Sequence, residues 1–170
     1  MTVTGAGGRR LAIAGATTAV VLVLDQLTKT WALDALADGR VIDVLWTLRF
    51  RLAFNTGMSF SMGEGMGRLI APLALVVVVV LAWTARRIDS WPGLVAVGLV
   101  TGGALGNLVD RAFRDGEGVL GGAVVDFIDL QWWPVFNIAD MGIVVGAVLL
   151  VLSTWSEMPA EDDSGARDAA

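Results

Sequence analysis

The chain has no cysteine and no histidine among its 170 residues. Their absence excludes thiol nucleophiles, disulfides, Cys/His zinc sites and Ser-His-Asp triads within this chain. Lysine occurs once, at Lys29, against 11 arginines, so a Ser-Lys dyad stays only formally open. Nothing resembles a basic nucleic-acid-binding face, and no nucleic-acid partner is expected. For an enzyme of this composition, carboxylates are the best remaining acid–base groups.

What is abundant is apolar. Hydrophobic residues make up 55% of the chain, too many for an ordinary soluble domain and fitting for an integral membrane protein. Hydropathy predicts a mainly α membrane protein with four transmembrane helices, at about 11–33, 69–85, 93–109 and 135–155. Segments near 17 residues are at the short end for a hydrocarbon core of ~30 Å. The valine run at 76–80 would suggest a strand in water, but in lipid a helix satisfies its own backbone, and Pro72 is read in that helix's first turn. The first span, preceded by Arg9–Arg10, reads as a retained anchor rather than a cleaved signal peptide.

One membrane-embedded domain is expected over 1–156, followed by a polar, acidic tail at 157–170 with a disordered composition. Much of the net charge of −5 lies in that tail and implies no acidic binding surface. Arg9–Arg10 and Arg86–Arg87 abut membrane ends, which places them, and with an even number of spans both termini, in the cytoplasm. Tryptophan agrees, with Trp31, Trp132 and Trp133 expected at the outer edge and Trp83, Trp91 and Trp155 at the inner one. Gly98, Gly102 and Gly106, and then Gly142 and Gly146, recur every four residues and predict close helix packing. In the first outer loop, WTLRFRLAFN (46–55) followed by Thr56-Gly57 predicts a strand, a turn and a small extracytoplasmic β-sheet. Trp46, Phe50, Leu52 and Phe54 are expected against the membrane surface. The apolar stretch 121–136 reads as part strand or interfacial.

Against this background the polar residues of GNLVDR (106–111), VVDFIDL (124–130) and FNIAD (136–140) stand out, because ionisable groups in or beside a span are costly. Asp126 and Asp140 form the candidate catalytic pair, Asp140 about one turn inside the fourth span and Asp126 at the membrane edge, with Asp129 and Asp110 competing for the latter role. Two carboxyls sharing a water can hydrolyse a peptide bond. One takes the water proton; the other, protonated, polarises the carbonyl and then protonates the leaving amine. Close carboxyls resist double ionisation, so the pair should hold one proton near neutral pH. Asn107 is read as binding substrate backbone or satisfying another helix. Arg111 is read as binding a lipid phosphate or a peptide carbonyl, or as snorkelling. Asp25 reads as a cap or backbone anchor, and Asn55 as a turn residue.

Together, DQLTKTWA (25–32), FNTGMSFS (54–61), GGALGNLVDR (102–111), VVDFID (124–129) and FNIADMGI (136–143) resemble the bacterial lipoprotein signal peptidases (signal peptidase II) in the same order. The resemblance implies a four-helix membrane protease of the cell (inner) membrane that cleaves diacylglyceryl-modified prolipoproteins before the lipidated Cys. Its active site would lie near the extracytoplasmic face. It implies catalytic roles for Asp126 and Asp140, and supporting or substrate-binding roles for Asp25, Asn55, Asn107, Asp110, Arg111 and Asn137. No metal or cofactor is expected, and the partners implied are prolipoproteins and membrane lipids, with the enzyme a monomer. Met58-Ser59 and Met141-Gly142 depart from the usual pattern without removing a catalytic group. The rival readings are an ion or proton transporter, which predicts carboxylates spread through the membrane depth; a non-catalytic scaffold; and a Ser-Lys peptidase pairing Lys29 with Ser59 or Ser61.

Overall fold

The computed structural model describes residues 3–57, 67–116 and 118–156. Met58-Ser59, Ser61 and the tail at 157–170 lie outside the described residues. Four helices carry most of the chain: α1 (Val3–Ala35), α2 (Gly67–Thr84), α3 (Trp91–Phe113) and α4 (Ile138–Ser156). A small sheet is formed by β1 (Val41–Leu45), β2 (Leu48–Asn55) and β3 (Val124–Asp129), antiparallel in the order β1-β2-β3. The sheet therefore draws two strands from before α2 and one from after α3, rather than belonging to the first loop alone.

Three helical stretches are long and apolar enough to cross a membrane: Gly7–Ala35, Trp91–Phe113 and Ile138–Trp155. The second helix offers a shorter apolar run, Ala71–Thr84. Large apolar side chains stay exposed on the bundle, among them Leu27 on α1, Val79 on α2 and Val148 on α4. In water such a surface would be untenable, but against lipid it is the outer face of the protein.

Helix limits differ from the hydropathy windows in informative ways. The fourth helix begins at Ile138, not near 135, because Phe136 is held in a bridge to Ile128 and Asn137 caps the first turn. Asp140 is accordingly a first-turn residue. The second helix begins at Gly67, so Pro72 lies inside it, past the first turn. It removes one backbone bond that a spanning helix can tolerate.

Glycine brings the helices into contact. A Cβ on Gly98 would meet Thr17 Cβ at 2.5 Å, and one on Gly102 would meet Val21 Cβ at 2.8 Å, which sets α1 parallel to α3. On α3's other side, Gly103 faces the Ala139 carbonyl and Gly146 faces the Ala96 carbonyl, so α4 runs antiparallel to α3. Gly106 lies where a Cβ would come within 2.5 Å of Asp25 Oδ2 and 3.2 Å of Ala139 Cβ. Small residues thus pull the polar ends of three helices together.

The sheet covers that same end. Trp31 packs edge-on to Phe50 at 5.4 Å and to Phe127 at 6.0 Å. Phe50 and Leu52 join Ala32, Leu36 and Phe127 in a small core. Of the four residues expected on the membrane surface, Phe50 and Leu52 therefore pack inward, while Phe54 is exposed and Trp46 projects from the β1–β2 turn at φ 53°.

Candidate active site

The first turn of α4 shows how sequence builds the site. Asn137 Oδ1 accepts the Asp140 N–H at 2.9 Å, and Asp140 Oδ2 accepts the Asn137 N–H at 3.1 Å. This reciprocal arrangement is a capping box with Asn and Asp as its two members. The cap fixes the Asp140 rotamer and leaves the Asn137 amide nitrogen free to donate elsewhere. It donates to Asp126 Oδ1 at 2.6 Å, with longer contacts to Asn107 Oδ1 at 3.1 Å and the Val125 carbonyl at 3.3 Å. One asparagine therefore ties the two candidate carboxyls together.

Strand β3 is delivered to this point by backbone bonds. Phe136 N–H donates to the Ile128 carbonyl at 3.1 Å and Ile128 N–H to the Phe136 carbonyl at 2.9 Å, folding residue 137 back beside residue 126. The other end is held on α3, where Asp110 Oδ2 accepts the Val125 N–H at 3.1 Å and the Arg111 carbonyl accepts the Gly122 N–H at 3.1 Å.

Asn55 reaches Asp126 because β2 contains an extra residue. Phe50 pairs with Ile128 and Ala53 with Asp126, so three steps on β2 match two on β3. Side chains alternate faces along a strand, and this slip moves Asn55 to the Asp126 side. Asn55 Nδ2 then donates to Asp126 Oδ2 at 3.2 Å, while its Oδ1 accepts the Gly57 N–H at 2.9 Å in a local turn. Asp129, three residues on, faces the other way.

Asp126 is 3% exposed and touches amides rather than cations. Burial, reinforced by the charge of Asp140, pushes its carboxyl up to about 7. Asp129 is equally buried but contacts Arg49 Nε at 2.8 Å and Arg51 Nε at 2.5 Å. Burial pulls it upward too, yet the bonds from Arg51, the Gln131 N–H and Arg49 outweigh that and hold it at about 2.

The remaining expected residues lie around the pair. Asn107 Nδ2 donates to Asp140 Oδ1 at 2.8 Å. Asp25 Oδ1 accepts the Ala139 N–H at 2.9 Å, so α1 anchors the start of α4. Arg111 is buried, lies within electrostatic reach of Asp126, Asp110 and Asp140, and leaves its Nη1 without a partner among the described residues. Two cavities meet these groups. A cleft of about 230 Å³ reaches Asp126 from Asn55, Phe54 and Pro134. A lipid-facing groove of about 240 Å³, lined by Ala71, Ala74, Val77 and Ala104, ends on Asn107 and Arg111.

Sequence reasoning missed Lys29 and Gln26 as parts of this cluster. Lys29 is fully buried and donates to Asp25 at 2.8 Å, Asp110 at 2.9 Å and Asn107 at 3.0 Å. Gln26 joins Asp25, the Gly106 carbonyl and Asp110. The signal was present as an Asp25–Lys29 pair four residues apart in an apolar helix.

Carboxyls joined by amides, Asp126 buried and Asp140 half-buried, lie at one end of an apolar helical bundle, beside a cleft and an apolar groove, an arrangement that marks a polytopic membrane protein with a polar site at one end. Comparison makes the class specific. Signal peptidase (SPase) II as a family matches residues 17–156. Among similar proteins are lipoprotein signal peptidases of Mycobacterium leprae (strain Br4923), 44% identical over 85% of this chain and 72% of the relative, and of Rhodococcus jostii (strain RHA1), 47% identical over 79% and 68%. A solved structure described as a bacterial membrane enzyme, determined in meso at 1.9 Å, superposes with a TM-score of 0.71 at 25% identity, covering 89% of this chain and 95% of the other. The chain belongs to the signal peptidase II family, and is a multi-pass membrane protein.

Proposed function

We propose that the chain is a membrane-embedded aspartyl endopeptidase that removes the signal peptide from diacylglyceryl-modified prolipoproteins, cutting before the lipidated Cys. The observation that carries this reading is the Asn137 bridge between Asp126 and Asp140, with Asp126 raised to about 7. A pair of this kind holds one proton at neutral pH, and its apparent pKa values belong to the pair. Water between the carboxyls attacks the scissile carbonyl carbon. The ionised carboxyl takes a water proton, and the protonated one stabilises the oxyanion and then protonates the amine as the C–N bond breaks. Asp25, Asn55, Asn107, Asp110, Arg111 and Asn137 support the pair or bind substrate. Arg111 and Asn107, at the end of the alanine-lined groove, suit a substrate whose acyl chains remain in lipid while a peptide carbonyl reaches the site.

Four spans, both termini in the cytoplasm, a site near the extracytoplasmic face, one domain over 1–156 and a monomer surrounded by lipid complete the proposal. Support for the topology comes from the bundle's two ends. Arg10 pairs with Asp89 at one, and the carboxyl cluster lies under the sheet at the other. Clustering at one end also weighs against an ion pathway, which needs polar groups through the depth. Lys29, with three donors engaged, is unsuited to act as the base of a Ser-Lys dyad.

The test is cleavage of a purified diacylglyceryl-prolipoprotein in detergent with chelator present. Wild type should cut; Asp126→Asn and Asp140→Asn, folded and monodisperse, should not. Activity in either variant overturns the two-aspartate reading, and wild-type activity that needs added metal overturns its metal independence.

A further inference from the structure

The two carboxyls of the pair have different surroundings, and the difference traces to Lys29. Its ammonium has three N–H donors, and each has an acceptor: Asp25 Oδ2 at 2.8 Å, Asp110 Oδ2 at 2.9 Å and Asn107 Oδ1 at 3.0 Å. Both carboxylates are pinned from behind as well. Asp25 Oδ1 takes the Ala139 N–H, and Asp110 Oδ1 takes Arg114 Nε at 2.8 Å. The ammonium thus has one position.

That position dictates which way round the Asn107 amide lies. Asn107 Oδ1 faces two donors, Lys29 Nζ and Asn137 Nδ2. A flipped amide would set its NH₂ against both and its carbonyl against the Asp140 carboxylate. In the sense observed, Asn107 Nδ2 donates to Asp140 Oδ1 at 2.8 Å, and a cation on the far side of the amide polarises that donor. Asp140 also receives the Asn137 N–H and sits at the positive end of α4. Asp126 receives amide N–H groups from Asn137 and Asn55, and the charge of Lys29 acts on it as the weakest of several influences.

We infer that Lys29 is a positioning residue which, through Asn107, holds Asp140 as the ionised member of the pair and leaves the shared proton on Asp126. This rests on the two-aspartate reading. Asp140 is then the general base toward water and Asp126 the acid toward the scissile carbonyl and leaving amine. The charged groups around the pair are Asp25 and Lys29 from α1 and Asp110 and Arg111 from α3, with Arg114, just past α3, held on Asp110, while β2 presents the neutral Asn55. Arg111 acts on both carboxyls, on Asp126 more than on Asp140, so it is not what favours an ionised Asp140. The distinction comes from the Lys29–Asn107 contact.

The experiment is the pH dependence of cleavage of diacylglyceryl-prolipoprotein by the full chain in detergent. Two variants are compared with wild type: Asn107→Leu, which keeps the Lys29 ion pairs, and Lys29→Met combined with Asp110→Asn, which removes a cation and an anion together. In Asn107→Leu, kcat should fall at least about tenfold, and the acid limb of its profile should move up by about one pH unit, because the base has lost a donor that favours its ionised form. The Lys29→Met/Asp110→Asn variant should move the limb in the same direction, and adding Asn107→Leu to it should move it no further. An acid limb unmoved in Asn107→Leu overturns the inference, whether or not the Lys29 variant folds. Additive shifts in the combined variant overturn the route through Asn107. Activity in Asp126→Asn or Asp140→Asn instead overturns the two-aspartate reading on which both stand.

Discussion

Asp126 and Asp129 lie three residues apart on one short strand, 3% and 2% exposed, and titrate far apart, at about 7 and about 2. Burial acts upward on both, so it does not separate them. Partners do. Asp129 has two guanidinium groups and a backbone N–H, whereas Asp126 has two carboxamides and a neighbouring carboxyl. Because strand neighbours at odd spacing face opposite sides, one strand can offer a structural ion pair on one face and a proton-holding acid on the other. Sequence proximity therefore says little about role here. The face does.

The largest effect that can break this comparison is loss of cleavage. Asp126→Asn and Asp140→Asn should each reduce kcat by at least about a thousandfold, as losing one of two obligatory proton-transfer groups does, with KM for the lipidated substrate little changed. Asp129→Asn should keep activity within about twofold and instead lower the thermal midpoint, at a cost of about 1–3 kcal/mol for charge-assisted bonds, toward the low end because Arg49 and Arg51 are part-exposed. Full inactivation of a folded Asp129→Asn variant would reverse the assignment of the two residues.

A second contrast is in pH dependence of stability. Asp129 is lowered, so its contribution is present above the ordinary value of 3.8 and is lost as pH falls toward about 2. Wild type should lose stability in that acid window, and Asp129→Asn should lose less. Asp126 is raised, so its ionisation opposes folding as pH climbs through about 7. Asp126→Asn should therefore melt at or above wild type at about pH 8, the opposite of what a structural ion pair would give. Circular-dichroism melts of the two variants across pH check both signs.

A smaller effect separates packing from chemistry. Gly103→Ala would press a methyl into the Ala139 carbonyl and shift the start of α4. It should destabilise the bundle and lower cleavage together, while leaving the shape of the pH profile unchanged.

Local and periodic features were legible in sequence. The apolar helices, the glycines at every fourth residue and the Asn137–Asp140 spacing all follow from patterns within a few turns of chain. Asp140 and Asn137 could be singled out because polar groups in an apolar run are costly. What was not legible depended on distant pairing. The third strand of the sheet, and with it the separation of Asp126 from Asp129, depends on β2 meeting β3 across about 75 residues with one extra residue in β2. Lys29 was weighed only as a base for serine, because its acceptors Asp110 and Asn107 come from α3 and no spacing rule links them. Pro72 was placed one turn too early, since nothing local marks Gly67 as a helix start.

The central claim is that the Asp126–Asp140 pair holds one proton near neutral pH, and infrared difference spectroscopy reads this directly. Spectra of wild type minus Asp126→Asn, in detergent, should show a protonated-carboxyl C=O band at about pH 6 that is lost by about pH 8, given a carboxyl titrating near 7. A difference spectrum with only carboxylate bands at about pH 6 would mean that Asp126 is ionised there, contradicting the account.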